Sequence, residues 1–67
     1  MSNKVKYYRE MQDMSQEELA KKSGVSRPII SGIENGNLKG TKIITLEKIS
    51  KTLGVGISEL FFNQGVQ

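Results

Sequence analysis

Residues 15–36 read SQEELAKKSGVSRPIISGIENG, and the serines and glycines in this stretch predict two short helices joined by a tight turn. Ser15 and Glu18 have the spacing of a capping box, in which each side chain accepts a hydrogen bond from the other residue's backbone N–H at a helix start. Gly24 follows the last turn of this helix, where a left-handed residue commonly ends a helix. The first helix of the pair therefore begins after Ser15 and ends before Gly24.

The second helix of the pair begins after Ser26, which is a good N-cap residue. Pro28 lies in its first turn, where the missing N–H costs nothing because that donor has no intrahelical partner. Ile30 and Ile33 share one face at helical spacing, and Asn35–Gly36 ends the helix. The predicted buried side of the two helices consists of Leu19, Ala20, Val25, Ile30 and Ile33.

Three further helical segments flank this pair, and no strand-like alternation of polar and apolar residues separates them. The first covers about residues 4–12 and is followed by Asp13, which can adopt the left-handed conformation at a helix end. Another helix begins with Thr45 as its cap and ends at Gly54, and a short last helix covers about residues 58–63. Five helices without strands predict an all-α fold.

Length and composition indicate one small domain over residues 1–67. A domain of this size buries only about 60% of the surface that its unfolded chain exposes, so a second subunit would help to stabilise it. The sequence has no cysteine and no histidine, which excludes disulfides and most zinc sites. No apolar run approaches the roughly 18 residues that span a bilayer, and we expect a cytoplasmic protein.

The charge balance is basic, with ten lysines and arginines against seven acidic residues, a formal net charge of +3 and a pI near 9.4. This balance favours a polyanionic partner. Ordinary solubilising surface charge has the same composition, so charge alone does not distinguish the two interpretations.

Three motifs are specific in combination: SQEELA at residues 15–20, ISGIENG at residues 30–36 and LGV at residues 53–55. They occur with the longer stretches LEKISKTLGV at residues 46–55 and SELF at residues 58–61. Together they resemble the Cro/C1-type (XRE-like) helix-turn-helix proteins of bacteria and phages. The likeness covers nearly the whole chain. It implies a compact five-helix, lambda-repressor-like fold in which about residues 15–35 form the helix-turn-helix.

Within this family, a chain of this length resembles the small dimeric regulators, such as phage repressors and the controller proteins of restriction-modification systems. The resemblance implies a sequence-specific DNA-binding transcriptional regulator. Such a protein acts as a homodimer that places two copies of the third helix in successive major grooves of a pseudo-palindromic operator. No cofactor, metal, membrane or small-molecule ligand is expected.

Three features depart from the usual family pattern. Asp13 stands where the family usually has glycine, and the loop over residues 37–44 is about one residue longer than usual, which leaves its path open. Pro28 replaces a residue that is often polar and contacts a base. Proline offers no side-chain hydrogen bond, but it can touch a thymine methyl group.

The resemblance places the N-terminal residues of the third helix against base edges. Arg27 is the main candidate for direct readout, because its guanidinium can donate two hydrogen bonds to guanine O6 and N7; pairing with a phosphate is its alternative role. Ser31 and Gly32 lie about one turn further along, where small residues permit a close approach to the groove. Their alternative roles are a plain surface serine and a poor helix former. The candidate base-contacting residues are Arg27, Pro28, Ser31 and Gly32.

Contacts with DNA phosphates are expected on both sides of this helix. Gln16 corresponds to a family glutamine that binds the DNA backbone and braces the third helix. The loop after the third helix would meet the other side of the groove, although its lysines could equally be solvated surface charges. Phosphate contacts position a protein without specifying a sequence. The candidates are Gln16, Ser26, Asn35, Asn37, Lys39 and Lys42.

Arg9 and Glu34 match family positions that form an internal salt bridge between the first helix and the end of the third. We expect a structural role for both residues, with ordinary surface charge as the alternative. Removing one partner of a buried pair costs about 3–5 kcal/mol, whereas an exposed pair contributes little.

The C-terminal segment carries more apolar side chains than one short helix can bury beneath itself. These residues, Leu60, Phe61, Phe62 and Val66, are candidates for a dimer interface. Leu60 and Phe61 have the alternative of completing the core of the monomer, which makes Phe62 and Val66 the better interface candidates. Leu38 is expected to be exposed in a loop and receives no role.

Glu17 and Glu18 are adjacent carboxylates but not a catalytic pair, because neighbouring helix residues diverge by about 100° and no nucleophile or metal ligand is near. Some relatives carry an acidic contact with RNA polymerase at the position of Glu17, which makes Glu17 a candidate for that contact. The sequence also lacks a phosphate-binding glycine loop, so we do not expect an enzyme. The remaining alternative is a protein-interaction module, such as an antitoxin or a phage adaptor that retains the fold.

Overall fold

The computed structural model describes residues 3–62, in which five α-helices follow one another without a strand. The helices are α1 (Val5–Met11), α2 (Gln16–Ser23), α3 (Arg27–Glu34), α4 (Ile43–Leu53) and α5 (Ile57–Phe61). This arrangement confirms the prediction of an all-α, five-helix fold. None of the helices within residues 3–62 has both the length and the apolar character needed to cross a bilayer.

Both ends of α2 have the local structure that the sequence predicts. Ser15 Oγ accepts a hydrogen bond from the Glu18 N–H at 3.0 Å, and Glu18 Oε1 accepts one from the Ser15 N–H at 2.9 Å. Gly24 is left-handed with a φ of 77°, and its N–H donates to the Ala20 carbonyl at 2.9 Å. Ser26 occupies the N-cap position of α3, but its side chain makes no capping hydrogen bond with the described residues. The capping box and Gly24 therefore define both ends of α2.

Asp13 follows α1 in the left-handed conformation, with a φ of 55°, as predicted. Within residues 3–62 it is the only residue other than glycine with a positive φ, and a side chain carries a steric cost there. The turn returns Met14 to the core, where it is 8% exposed. The Met14 N–H donates to the Arg9 carbonyl at 3.1 Å, which ties the turn to α1.

Helix α4 begins earlier than predicted, with Lys42 as its N-cap instead of Thr45. The Lys42 carbonyl accepts hydrogen bonds from the N–H groups of Thr45 at 3.0 Å and Leu46 at 3.3 Å, so Thr45 already lies in the first turn. Lysine has no capping side chain, and the observed start therefore carries little sequence signal. Helix α5 likewise begins at Ile57, one residue before the start predicted at about residue 58.

The core contains apolar side chains from all five helices. Its members are Val5, Met14, Leu19, Val25, Ile30, Ile33, Leu46, Ile49, Leu53, Leu60 and Phe61. Ile30 and Ile33 have no exposed surface, so α3 is held in place by one side. Leu38 is half-buried and packs against this core, which corrects the expectation that it is exposed. Burial of its side chain favours a fixed path for the loop after α3.

Helix α5 directs its apolar side chains inward. Leu60 is 1% exposed and Phe61 is 5% exposed, which corrects their assignment to a dimer interface. A side chain that is already surrounded within its own chain has almost no surface left to bury against a second subunit. Phe62 is 58% exposed and stays a candidate for that interface, whereas Val66 lies outside the described residues.

Hydrogen bonds join the beginning of the described chain to α5. The Lys4 N–H donates to the Leu60 carbonyl at 2.9 Å. The Glu59 carboxylate accepts hydrogen bonds from the Lys4 ammonium at 3.2 Å and from the Tyr8 hydroxyl at 2.9 Å. The hydrogen bond to Glu59, and then desolvation, raise the pKa of Tyr8 above its ordinary value, because only the protonated hydroxyl can donate.

Candidate nucleic-acid interface

Helix α3 has an outward side opposite its buried isoleucines. Arg27 and Pro28 are exposed in its first turn, and Ser31 and Gly32 are half-buried one turn later. Successive helix residues turn by about 100°, so these four positions fall within an arc of about 140°. The structure thus brings the four predicted base-contacting residues to one side of one helix.

The Gln16 carboxamide connects α2 with both ends of α3. Its Nε2 donates to Glu34 Oε1 at 3.0 Å, and its Oε1 accepts a long hydrogen bond of 3.5 Å from Arg27 Nε. Arg27 is the first residue of α3 and Glu34 is the last. Because a carboxamide nitrogen carries two hydrogens, the same Nε2 can donate a second hydrogen bond to an external acceptor.

A buried ion pair fixes the end of α3 to α1. Arg9 Nε donates to Glu34 Oε2 at 2.6 Å and Arg9 Nη2 donates to Glu34 Oε1 at 3.1 Å, which is a bidentate arrangement. The two side chains are only 9% and 3% exposed. These contacts confirm the predicted salt bridge. Hydrogen bonding to Glu34 raises the pKa of Arg9 despite the opposing effect of desolvation, so the guanidinium stays charged.

An open groove of about 460 Å³ separates α3 from the loop that follows it. Pro28, Ile29 and Gly32 line the α3 side of this groove, and the loop side includes Lys39 and Lys42. Both lysines are exposed. The groove therefore has an apolar side on the helix and a cationic side on the loop.

The path of this loop, which the sequence left open, is set by backbone contacts with α3. The Asn37 N–H donates to the Gly32 carbonyl at 2.9 Å, and Asn37 Oδ1 accepts a hydrogen bond from the Lys39 N–H at 3.3 Å. The Thr41 N–H donates to the Leu38 carbonyl at 3.0 Å, which closes the next turn. These bonds place the loop lysines beside the outward side of α3.

The remaining candidates for nucleic-acid and protein contact lie around this surface. Ser26 and Asn35 are exposed at the N-cap and the C-cap of α3. Glu17 is exposed in the first turn of α2. Their positions are compatible with the roles predicted from the resemblance.

Ile29 also lines the groove beside α3, although no role was predicted for it from the sequence. It is 46% exposed on the groove side, whereas the neighbouring Ile30 is fully buried. Helical spacing alone does not predict this exposure, because Ile29 lies about 100° from Ile30 but only about 40° from the buried Ile33. Its exposure depends on the path of the loop, which the sequence did not reveal.

Comparison with known proteins agrees with this geometry. Residues 5–60 match the helix-turn-helix family. The chain is 46% identical over 61 residues to an uncharacterised HTH-type transcriptional regulator of Methanocaldococcus jannaschii, and the match covers 91% of each protein. It is 45% identical over 60 residues to control protein C.MunI of a Mycoplasma species, with 88% of this chain and 80% of the relative covered. No solved structure matches the chain.

The family match begins at the first residue of α1 and extends into α5, so it includes the α2–α3 pair, the Gln16 bridge and the ion pair behind it. Both relatives align with most of the chain. The chain belongs to the Cro/C1-type helix-turn-helix family of DNA-binding transcriptional regulators, which is not a family of enzymes.

Proposed function

We propose that the protein is a homodimeric regulator whose two α3 helices enter successive major grooves of a pseudo-palindromic operator. The observation that carries this proposal is the outward side of α3. The candidate base-contacting residues lie together there, whereas Ile30 and Ile33 hold the other side in the core. A helix that is fixed along one side and uncovered along the other is suited to a groove about 12 Å wide.

Arg27 reads a guanine in each half-site. Its side chain is exposed at the first residue of α3, where the residues of a reading helix come closest to base edges. The contact with Gln16 uses Nε, which leaves the two terminal nitrogens for guanine O6 and N7. A bidentate contact of this kind contributes about 1–3 kcal/mol of discrimination between bases. Ser31 and Gly32 add little bulk and permit the approach.

Phosphate contacts on both sides of α3 hold it in the groove. Lys39 and Lys42 meet one DNA strand from the loop side, and each cation that neutralises a phosphate releases counterions. Gln16 donates its second Nε2 hydrogen to a phosphate while the first stays on Glu34. Three exposed polar residues complete the set: Ser26, Asn35 and Asn37.

A second subunit supplies the second reading helix. Phe62, exposed immediately after α5, contacts that subunit together with Val66. A domain of this length gains stability when it buries such a side chain against a partner. The dimer acts on DNA in the cytoplasm, and Glu17 contacts RNA polymerase where the operator adjoins a promoter.

Affinity selection from random DNA duplexes at about physiological salt tests this function. We expect a two-fold-symmetric motif with a guanine in each half-site, bound roughly 10³-fold or more above the unselected pool. A folded protein that enriches no motif would refute sequence-specific regulation. A motif without internal symmetry would refute the homodimer on a pseudo-palindromic site.

Exposed apolar side chains outside α3 favour a second candidate function, a protein-interaction module. Tyr7 and Met11 are 57% and 63% exposed on α1, and Ile43 and Ile44 are 60% and 54% exposed in the first turn of α4. Adjoining exposed apolar side chains, such as Tyr7 and Met11 four positions apart on one helix, are typical of surfaces that bind other proteins. Purification from the native host distinguishes the two functions. A stoichiometric second protein supports the module, and a homodimer supports the regulator.

A further inference from the structure

The α3 side of the groove is apolar. Electrostatic attraction to a phosphate backbone gives no role to apolar side chains at this position. Pro28 and Ile29 are adjacent and exposed, and Ile29 retains 46% of its surface. Hydrocarbon side chains cannot hydrogen-bond a phosphate, yet these two lie across the groove from Lys39 and Lys42. A ligand that fits both sides carries an apolar group next to its negative charges.

Gly32 leaves open space beside these two residues. Its φ lies outside the left-handed region, so the backbone does not require glycine. Apart from its two chain neighbours and the nearby backbone of its own helix, no heavy atom of the described chain would lie within 4 Å of a Cβ on Gly32. Packing therefore does not require glycine either. Glycine in a helix interior is destabilising relative to alanine. Glycine at this position therefore leaves the surface of α3 open to a close approach.

Ile29 and Pro28 both border this open space. On a helix, residues three and four positions apart are neighbours, and Gly32 follows Ile29 by three positions and Pro28 by four. The side chains of Pro28 and Ile29 and the missing side chain of Gly32 thus form a shallow socket in the groove. The space above Gly32 suits a small apolar group.

Building on the proposed function, we propose that Ile29 is a specificity-determining residue that contacts the C5 methyl group of a thymine in the major groove. Thymine is the standard base whose major-groove edge carries a methyl group. Pro28 completes the contact, and the space above Gly32 receives the methyl. Each half-site is then recognised through two kinds of contact: hydrogen bonds from Arg27 to a guanine, and an apolar contact of Ile29 with a thymine methyl group.

The test uses the duplex that the wild-type protein enriches from the random pool. Each thymine of one half-site is replaced in turn by deoxyuridine, which removes the C5 methyl and keeps the base pair and the O4 acceptor. We expect one position at which the Kd rises about fourfold, the effect of losing one buried methyl group. The remaining thymines of that half-site should tolerate the replacement with a smaller change.

Two variants assign the effect to its side chain. Ile29→Ala should reduce the difference in Kd between the thymine and deoxyuridine duplexes to less than twofold, because only the Pro28 part of the contact with the methyl remains. Ile43→Ala is the matched control, since Ile43 is 60% exposed and does not line the groove. It should retain the fourfold difference. Circular dichroism confirms that both variants are folded.

Three results would overturn the inference: a half-site without thymine, a wild-type protein indifferent to every deoxyuridine, or an Ile29→Ala variant that retains the full fourfold difference between the two bases. Each of these leaves an enriched motif, so the proposed function survives them. A selection that enriches no motif at all overturns both the regulator and the methyl contact.

Discussion

Glu34 is the residue at which the interior contacts of the candidate interface meet. Its carboxylate accepts hydrogen bonds from Arg9 at 2.6 and 3.1 Å and from Gln16 at 3.0 Å. The Glu34 side chain is 3% exposed, so these bonds lie away from water, where an unpaired charge is costly. A single carboxylate therefore fixes the end of α3 to α1 and orients the glutamine that reaches Arg27.

Replacing Glu34 should destabilise the protein strongly. We expect Glu34→Ala to lower the free energy of unfolding by about 3–5 kcal/mol, because it leaves the buried Arg9 guanidinium with only the more distant Glu10 carboxylate, at 4.0 Å, as a counter-charge. Lys4→Ala is the matched control, since it breaks an ion pair whose side chains are 44% and 34% exposed. Its cost should be about 1 kcal/mol or less. Urea unfolding measures both, and similar small losses would contradict the role of the buried pair.

Arg27 should affect specificity without affecting the fold. We expect Arg27→Ala to lose about 1–3 kcal/mol of preference for guanine at one position of each half-site. Lys39→Ala should instead weaken binding to all sequences and reduce the slope of log Kd against log salt by about 1.8, because the dimer loses one phosphate contact from each subunit. Equilibrium binding is measured at several salt concentrations, on the enriched duplex and on duplexes in which the guanine is replaced. These measurements distinguish a loss of base preference from a loss of phosphate contacts. A uniform loss in Arg27→Ala would assign Arg27 to a phosphate.

At the scale of the helix, α3 contains a glycine that its own stability does not need. We expect Gly32→Ala to raise the free energy of unfolding by about 0.5–1 kcal/mol and, at the same time, to weaken DNA binding. Gly24→Ala is a suitable control, because Gly24 has a φ of 77° and an added Cβ costs about 1–2 kcal/mol there. Thermal unfolding and duplex binding are measured on the same samples. A stabilised Gly32→Ala with unchanged affinity would show that α3 does not approach DNA closely.

Helix boundaries were predictable from sequence where a side chain or a glycine defines them. The capping box at Ser15 and the left-handed Gly24 located α2, whereas Lys42 caps α4 with its backbone alone and left no signal. The pairing of Arg9 with Glu34 followed from the resemblance. The positions of Leu38 and Ile29 did not, because the exposure of each depends on how the loop packs against the rest of the chain.

At the scale of the whole molecule, contacts with Glu59 join α1 to α5. Because one of them is a hydrogen bond from the Tyr8 hydroxyl, the free energy of unfolding should decrease at alkaline pH. The hydrogen bond to Glu59 raises the pKa of Tyr8 above its ordinary value near 10. The folded state thus holds this proton more tightly than the unfolded state, so the stabilisation is fully present below about pH 10 and is lost as pH rises through the raised pKa. We expect the advantage in Tm of the wild type over Tyr8→Phe to shrink in that range. Thermal unfolding of both proteins from neutral to alkaline pH measures it, and an unchanged difference would contradict the contribution of this hydrogen bond.

The interface between two whole molecules determines whether one chain or two occupy an operator. Phe62 is 58% exposed directly after α5, and an aromatic anchor at the centre of an interface contributes about 2 kcal/mol or more. We therefore expect Phe62→Asp to sediment as a monomer at concentrations where the wild type is a dimer, and to bind the symmetric duplex more weakly. Met11→Asp places the same charge at a side chain that is 63% exposed on α1, and it should remain dimeric. A dimeric Phe62→Asp would move the interface to another surface, and a monomeric wild type would contradict the homodimer itself.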